Sequence, residues 1–337
     1  MRLHRHTDNL PAAARGGVVA VGNFDGVHRG HQAVIGDAVR RAHAAGAPAQ
    51  VLTFEPHPRR FFKPDTPPFQ LTRLRTKARV LAGLGVDDLF VLRFNRDMSG
   101  YTAEVFIDRF LVRDLQARHV IVGYDFVFGK DRRGNPELLR ERLAANSIGI
   151  TIMAPVTAAE LAAVDVDPES AVISSTGVRD AMRAGDPAAA ARLLGRPFEI
   201  EARVQRGEAR GRQLGFPTAN LWLGDYLRPA LGVYAVRAGI DEGPECHRGV
   251  ANLGLRPTFG GVAEPRLEVH LFDFDGDLYG RRLRVELVQF LRPERKFPDV
   301  AALREQIAHD ATAARTVLAA TEQRRRGPRP LAESEGG

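Results

Sequence analysis

Val18-Val19-Ala20-Val21-Gly22-Asn23-Phe24-Asp25-Gly26-Val27-His28-Arg29-Gly30-His31 is the stretch that decides the fold of the first half of this chain. Residues 17–21 are apolar without polar alternation, the pattern of a strand covered on both faces. A glycine-punctuated turn follows, and residues 30–45 read as a helix. Gly22 and Gly26 let the backbone approach a ligand closely. His28 and His31 stand three apart at the helix start, so they face one direction. The helix N-terminus adds backbone N–H groups and a partial positive charge. A triphosphate lying there would meet two imidazoles and a helix dipole. That suits in-line attack at an α-phosphorus, with charge building on the phosphoryl oxygens and pyrophosphate leaving. An isolated His-x-x-His is more often a surface or hydrogen-bonded pair; the strand–turn–helix context favours the phosphate reading.

The same alternation continues outward. Ala49–Phe54, Leu89–Leu92, His119–Val122 and Ile150–Ala154 read as strands, and 72–84, Thr102–Leu115 and 135–146 as helices. Apolar strands alternating with helices predict a parallel sheet covered on both faces. Residues 157–172 break the pattern and read as a mobile loop. Asp186-Pro187 before Ala188–Ala191 reads as a capped short helix, Asp186 being the N-cap and Pro187 the first helical residue. The domain junction is placed there: 1–186, then 187–322, with 323–337 as a disordered tail.

From Phe198 the style changes. Phe198–Val204, Val233–Ala238, Arg248–Leu253, Leu267–Phe272 and Leu283–Phe290 are short runs between Gly and Pro turns, which predicts an antiparallel barrel. Val300, Leu303, Ile307 and Val317 mark a final helix over roughly 299–320. The tail from Arg324, rich in Arg, Pro, Gly and Glu, lacks the apolar residues to fold.

The bulk numbers bound the function class. A chain of 337 residues, 44% hydrophobic and 26% charged, has a soluble globular composition and the length of two domains. One cysteine, Cys246, leaves no intrachain disulfide framework and fits a reducing cytoplasm. Val18–Val21 is too short for a signal peptide or a membrane span. The net charge of +7 comes from arginines spread along the chain, without an aromatic-interleaved basic patch, so nucleic acid is not the expected partner. A modest positive field suits anionic phosphate substrates.

Two further segments carry chemistry. Ile173-Ser174-Ser175-Thr176-Gly177-Val178-Arg179 offers hydroxyls and a cation ahead of a short helix. It reads either as a Ser/Thr helix cap or as a loop closing over leaving phosphates, with Arg179 as clamp. In the second half, Gly207, Gly211 and Gly215 lie four apart around Arg210 and Arg212, followed by Phe216-Pro217-Thr218-Ala219-Asn220. The glycines permit a tight flap over phosphates. Thr218 and Asn220 share a face of an extended segment and offer hard oxygens suited to Mg²⁺, or simply a turn hydrogen bond. In Leu267–Leu271 the alternation puts Glu268 and His270 on one face. Two near-motifs fail. Gly123 to Gly129-Lys130 has one residue too many for a P-loop, and Asp131 stands where Ser or Thr is required. Asp273 to Asp277 lacks the distal Glu of a Ca²⁺ loop, Arg284 standing there.

These motifs resemble, in order and over about residues 15–315, the prokaryotic bifunctional riboflavin kinase/FAD synthetase family. The resemblance rests on Gly22–His31, Thr53-Phe54-Glu55-Pro56-His57-Pro58, Gly123-Tyr124-Asp125-Phe126-Val127-Phe128-Gly129, the Ser174–Arg179 loop and Gly211–Asn220. Pro229–Ala235, Ala251–Phe259, Leu267–Leu271, Asp277–Gly280 and Leu291–Phe297 extend it. It implies an α/β Rossmann-like nucleotidylyltransferase domain, then an antiparallel β-barrel riboflavin kinase domain with a C-terminal helix. By this resemblance His28 and His31 bind ATP phosphates and stabilise the transition state, Gly22, Asn23, Phe24, Asp25 and Gly26 form the nucleotide loop, and Ser175, Thr176 and Arg179 form the second phosphate loop. Phe54, Pro56, His57, Pro58, Phe62, Asp125 and Phe128 lie where the family places its flavin pocket; plain core packing is the alternative for Phe54 and Phe128. In the kinase half, Gly207, Gly211, Arg212, Gly215 and Pro217 meet ATP, Thr218 and Asn220 hold Mg²⁺, Glu268 is the base, and Arg292 meets flavin or phosphate. The implied cofactor is Mg²⁺, with ATP, riboflavin, FMN and FAD as substrates and products. The expected working form is a monomer or weak homo-oligomer without nucleic acid or membrane. Two alternatives stay open: a chain with one live module, and a flavin- or nucleotide-responsive binding protein without turnover.

Overall fold

Arg2–His4 (β1), Val18–Val21 (β2), Ala49–Glu55 (β3), Asp88–Arg93 (β4), His119–Gly123 (β5) and Gly149–Met153 (β6) form one six-stranded sheet in the order β1-β4-β3-β2-β5-β6. Every neighbouring pair is parallel. The computed structural model describes residues 1–157, 172–207, 211, 215–243, 245–257 and 263–326. The predicted loop therefore lies outside the described residues except at its ends, Thr157 and Val172, and the tail beyond Arg326 lies outside them entirely.

Both faces of the sheet are covered, as the apolar strands require. Val19, Val21, Leu52, Phe90 and Val120 pack with Phe106, Phe110, Leu111 and Leu139 on one side. Val18, Ala20, Val51, Leu89 and Ile121 pack with Val34, Ile35, Ala38 and Leu81 on the other. The helices are α1 (Arg29–Ala44), α2 (Pro58–Phe62), α3 (Leu74–Gly83), α4 (Arg96–Gly100), α5 (Ala103–Phe106) and α6 (Pro136–Ala144); α1, α3, α5 and α6, with the turns that follow α5, supply these residues. The predicted helix over Thr102–Leu115 is α-helical only across α5. It continues as a π-helix over Ile107–Asp114, whose wider turns bury Ile107, Phe110 and Leu111 together. Strand β1 carries no apolar run and is invisible to periodicity. Arg2 Nε and His4 Nε2 each lie 2.7 Å from Asp88 Oδ1 on β4, which fixes it to the sheet edge.

The connections run β2, β3, β4 in one direction across the sheet, and β5 then falls on the other side of β2. This reversal makes the carboxyl ends of β2 and β5 the switch point where ligands bind in such sheets. The motifs at Gly22–His31, Thr53–Pro58 and Gly123–Gly129 all follow strands at that edge.

The chain divides into two compact units. The first comprises Met1–Val178 with Leu193–Gly195; the second begins at Arg179 and resumes at Arg196. Helices α7 (Ser175–Arg183) and α8 (Pro187–Leu194) lie at the changeover. Asp186 caps α8 as expected, its Oδ1 accepting from Ala189 N at 2.8 Å.

The second unit is a six-stranded antiparallel sheet of β7 (Phe198–Arg203), β8 (Ala219–Trp222), β9 (Gly232–Ile240), β10 (Cys246–Pro257), β11 (Ala263–Leu271) and β12 (Arg282–Pro293), ordered β7-β12-β9-β10-β11-β8. Gln205 N donates to Asn220 O at 2.9 Å, an isolated bridge between the two edges that nearly closes the sheet into a barrel. Strand alternation sends Phe198, Ile200, Tyr234, Val236, Leu253, Leu267, Val269, Leu283 and Val285 inward, all buried. Tyr234 Oη donates to Ala230 O, and burial pushes its phenol pKa up. Helix α9 (Val300–Arg326) lays Ala314 and Leu318 on Val233, Ala235, Val250 and Phe272 of the barrel's outer face. It runs past Ala320, where the predicted helix stops. Replacing Asp186 by Ala removes the α8 cap and should lower stability by about 1 kcal/mol in chemical denaturation; an unchanged midpoint would show that the cap contributes nothing.

Candidate active sites

The first site is built on the turn between β2 and α1. Phe24 (φ 47°), Gly26 (φ 87°) and Val27 (φ 43°) are in left-handed backbone. A Cβ on Gly26 would sit 2.9 Å from Leu71 Cδ1, so only glycine fits. The turn is tied from several sides. Asp25 Oδ1 accepts from Leu71 N at 2.8 Å and Thr72 N at 3.1 Å. Gly26 N donates to Thr72 Oγ1 at 3.0 Å. Asp25 thus shapes the loop with its carboxylate, while Asn23 is exposed and Gly22 closes β2.

His28 is the N-cap of α1: its Nδ1 accepts from His31 N at 3.4 Å. A neutral ring accepting at Nδ1 carries its proton on Nε2, a donor nitrogen. The two imidazoles stack at 3.6 Å between centroids and 23° between planes. Phe24 meets His31 edge-on at 5.3 Å. Both imidazoles are therefore fixed at the first turn of α1, where its backbone N–H groups and dipole favour an anion.

The Ser174 loop forms the helix cap of its first reading. Ser174 Oγ caps α7, accepting from Gly177 N at 3.2 Å. Ser175 Oγ donates to Asp25 O at 2.9 Å, bringing the loop onto the β2–α1 turn. Thr176 is exposed, and Arg179 stands four residues beyond Ser175, on the same helix face.

The proposed flavin residues divide into two groups. Phe54 and Phe128 are each 8% exposed and belong to the sheet core. Phe54 meets Phe94 at 6.1 Å, and Phe128 stacks on Phe126 at 5.1 Å. Their rings line the layer beneath the carboxyl edge. Phe62 is 63% exposed and packs edge-on against Phe94 at 5.6 Å. His57 caps α2, accepting from Arg59 N at 3.1 Å, with Pro58 as first helical residue. Pro56 and Asp125 are exposed at the same sheet edge.

The second site lies on the outer face of the barrel. Asn220 on β8 pairs with Glu268 on β11, and Glu268 with Asn252 on β10. Directly paired residues share a face, so Asn220, Glu268 and Asn252 form a polar row across three strands. Thr218 continues the row two residues before Asn220. Asn252 Nδ2 donates to Glu294 Oε1 at 3.2 Å. Gly207 and Gly211 lie hard against this row. A Cβ on Gly207 would be 2.4 Å from Asn220 Nδ2, and one on Gly211 would be 2.4 Å from Phe216 O and 3.2 Å from Thr218 Oγ1. His270 Nδ1 donates to Pro217 O at 2.9 Å, tying the Phe216–Thr218 segment to β11. Gly215 is exposed at φ 87°. Arg212 lies outside the described residues. Arg292 points its fork at Asp310 of α9, Nε at 2.9 Å from Oδ1 and Nη2 at 2.6 Å from Oδ2, so it ties the end of β12 to the helix.

Comparison with known proteins settles the kinship. The family model of FAD synthetase matches residues 10–164, and that of riboflavin kinase matches residues 194–318. The bifunctional riboflavin kinase/FMN adenylyltransferase of Pseudomonas fluorescens is 44% identical over 96% of this chain and 100% of its own length. The enzyme of the same name from Escherichia coli K12 is 42% identical, over 95% of this chain and 99% of its own. This chain belongs to the bifunctional riboflavin kinase/FMN adenylyltransferase family. A solved structure called a macrolide-efflux protein, from Streptococcus pneumoniae, is also similar: 31% identical, TM-score 0.79, covering 93% of this chain and 98% of that one. Among the described residues of this chain, no helix is long and apolar enough to cross a membrane.

Several residues at these family sites escape a motif search. Thr72 holds the β2–α1 turn from a segment read only as the start of a helix. Asn252 and Glu294 join the polar row through strand register, which no local pattern shows. Lys77 gives a sequence signal: it interrupts the apolar helical stripe Leu74, Ala78, Leu81. Among the described residues no group of three or more His, Cys, Asp or Glu side chains could hold a metal ion. Thr218 and Asn220 offer a hydroxyl and an amide oxygen instead, a donor set that suits Mg²⁺ sharing its shell with phosphate and water. The glycine contacts yield a sharp expectation: Gly207→Ala should lower riboflavin phosphorylation at least about tenfold, since misplacing a site by about 1 Å can cost 100-fold, and leave FAD formation from supplied FMN within twofold. A variant with normal kinase rate would show that the close approach to Asn220 has no part in the site.

Proposed function

We propose that this chain carries out two successive phosphate transfers on flavins, each in its own unit. The barrel phosphorylates riboflavin with ATP, giving FMN and ADP. The parallel-sheet unit joins FMN to a second ATP, giving FAD and pyrophosphate. The observation that carries this is the match of two different family models to separate halves of one chain, residues 10–164 and 194–318. We assign residues 1–186 to the adenylyltransferase and 187–322 to the kinase.

In the kinase, Glu268 takes the proton of the ribityl 5′-hydroxyl as its oxygen attacks the γ-phosphorus. The Asn220–Glu268–Asn252 pairing supports this role, because it seats the carboxylate beside the residues that would hold the phosphates. Gly207, Gly211, Gly215, Arg212 and Pro217 form the cover over ATP, and Arg292, fixed by Asp310, meets the flavin. Mg²⁺ held by Thr218 and Asn220 would neutralise phosphate charge.

In the adenylyltransferase, an FMN phosphate oxygen attacks the α-phosphorus in line. His28, His31 and the α1 backbone N–H groups stabilise the charge that builds on the phosphoryl oxygens. Ser175, Thr176 and Arg179 take the leaving pyrophosphate, and Asn23 to Gly26 cradle the nucleotide. Phe62, His57, Pro56, Pro58 and Asp125 surround the flavin, with Phe54 and Phe128 supporting them from the core. The single cysteine fits a cytoplasmic enzyme.

Two variants separate the halves. His28→Ala should lower FAD formation at least about 100-fold, the usual scale for losing a transition-state donor, and leave FMN formation unchanged. Glu268→Ala should lower FMN formation by about 10²–10⁴-fold, the range for a general base, and leave FAD formation from supplied FMN unchanged. Loss of both activities in either folded variant would overturn the assignment.

A further inference from the structure

Lys77 is a cation inside the apolar body of the first unit. It sits on α3 in the stripe Leu74, Lys77, Ala78, Leu81 and is 2% exposed. Its ammonium donates to Asn23 O at 2.9 Å and to Glu55 Oε1 at 3.3 Å. Thr53 Oγ1 donates to the same Asn23 carbonyl at 3.2 Å. Asn23 lies in the turn after β2. Glu55 is the last residue of β3, the neighbouring strand, and leads into Pro56, His57 and Pro58. One buried charge thus ties the carboxyl ends of two adjacent strands.

Stability does not explain this arrangement. Burying an ammonium carries a desolvation cost even when it is paired, and an apolar residue of similar volume is often neutral or stabilising in such a place. A methionine would reach along the same stripe without that cost. What the lysine supplies is a fixed distance between two loops, because both partners bond to one atom.

We propose that Lys77 is a positioning residue for adenylyl transfer, setting the register of the ATP turn against the flavin segment. The inference rests on the proposed adenylyltransferase reading of this unit. In that reaction the FMN phosphate oxygen and the α-phosphorus must meet in line, one carried by the segment after β3 and the other by the turn after β2. Lys77 touches neither reactant. It acts through Asn23 and Glu55, so its loss should damage alignment more than binding.

The test is steady-state kinetics of FAD formation from FMN and ATP with Lys77→Met and Lys77→Arg, alongside thermal unfolding and the chain's own riboflavin kinase rate. For Lys77→Met, kcat should fall about 100-fold, the cost of misplacing reacting groups by about 1 Å. KM for ATP and for FMN should change less than about threefold, since binding common to ground and transition states is kept. Lys77→Arg, which can still bond both partners, should recover kcat to within about tenfold of wild type. The kinase rate should stay unchanged in both. A Lys77→Met enzyme with wild-type kcat overturns the proposal, as does a raised KM at unchanged kcat. So does equal loss in both variants that tracks unfolding below the assay temperature. If the wild-type chain itself forms no FAD, the adenylyltransferase reading fails first.

Discussion

Between Asn23 and Val27 the backbone holds two non-glycine residues in left-handed conformation, Phe24 and the β-branched Val27. Each costs roughly 1–2 kcal/mol against an ordinary turn. Hydrogen bonds that Asn23 and Asp25 accept from Thr53, Leu71, Thr72, Lys77 and Ser175, and that Gly26 donates to Thr72, offset that cost, at about 1 kcal/mol each. The partners come from β3, the approach to α3, α3 itself and α7. The turn is therefore a junction of the whole unit. Once it is held, the cap at His28, the stack with His31 and the direction of α1 follow from it. A strained turn with so many anchors is rigid, the property that a site stabilising a transient charge would require.

The barrel reaches a comparable end by other means. Among its described residues the site is set by strand register. Pairing across β8, β11 and β10 sets Asn220, Glu268 and Asn252 side by side on the outer face, while alternate residues fill the interior. Glycine brings the backbone against Thr218 and Asn220, and the His270 contact with Pro217 holds that segment on β11. One fold presents helix N–H groups at a turn, and the other presents side-chain oxygens along a strand register.

Much of this was legible in the sequence, and the rest was hidden for definite reasons. Apolar runs without alternation reported a sheet covered on both faces, and short alternating runs reported the barrel. Local motifs marked Gly22–His31 and Gly211–Asn220 because their chemistry is contiguous. Strand β1 stayed hidden because a buried Asp88, rather than apolar residues, holds Arg2 and His4. The polar row stayed hidden because register is non-local: Asn252 and Glu268 are neighbours only after β10 and β11 pair. Arg292 reads as a free cation until α9 folds back and presents Asp310. Phe54 and Phe128 show the ambiguity of aromatic residues beside a site, since both are core and both lie under its edge. Lys77 was visible as a charge on an apolar stripe, but its meaning needed the positions of Asn23 and Glu55.

The account stands on two active sites working in sequence in one chain. The most direct measurement is a chromatographic time course of purified protein with riboflavin, Mg²⁺ and excess ATP. FMN should rise first and then fall as FAD accumulates, with ADP and pyrophosphate as the respective by-products. FMN that accumulates without FAD would contradict the adenylyltransferase assignment. Riboflavin that binds without any product would contradict both.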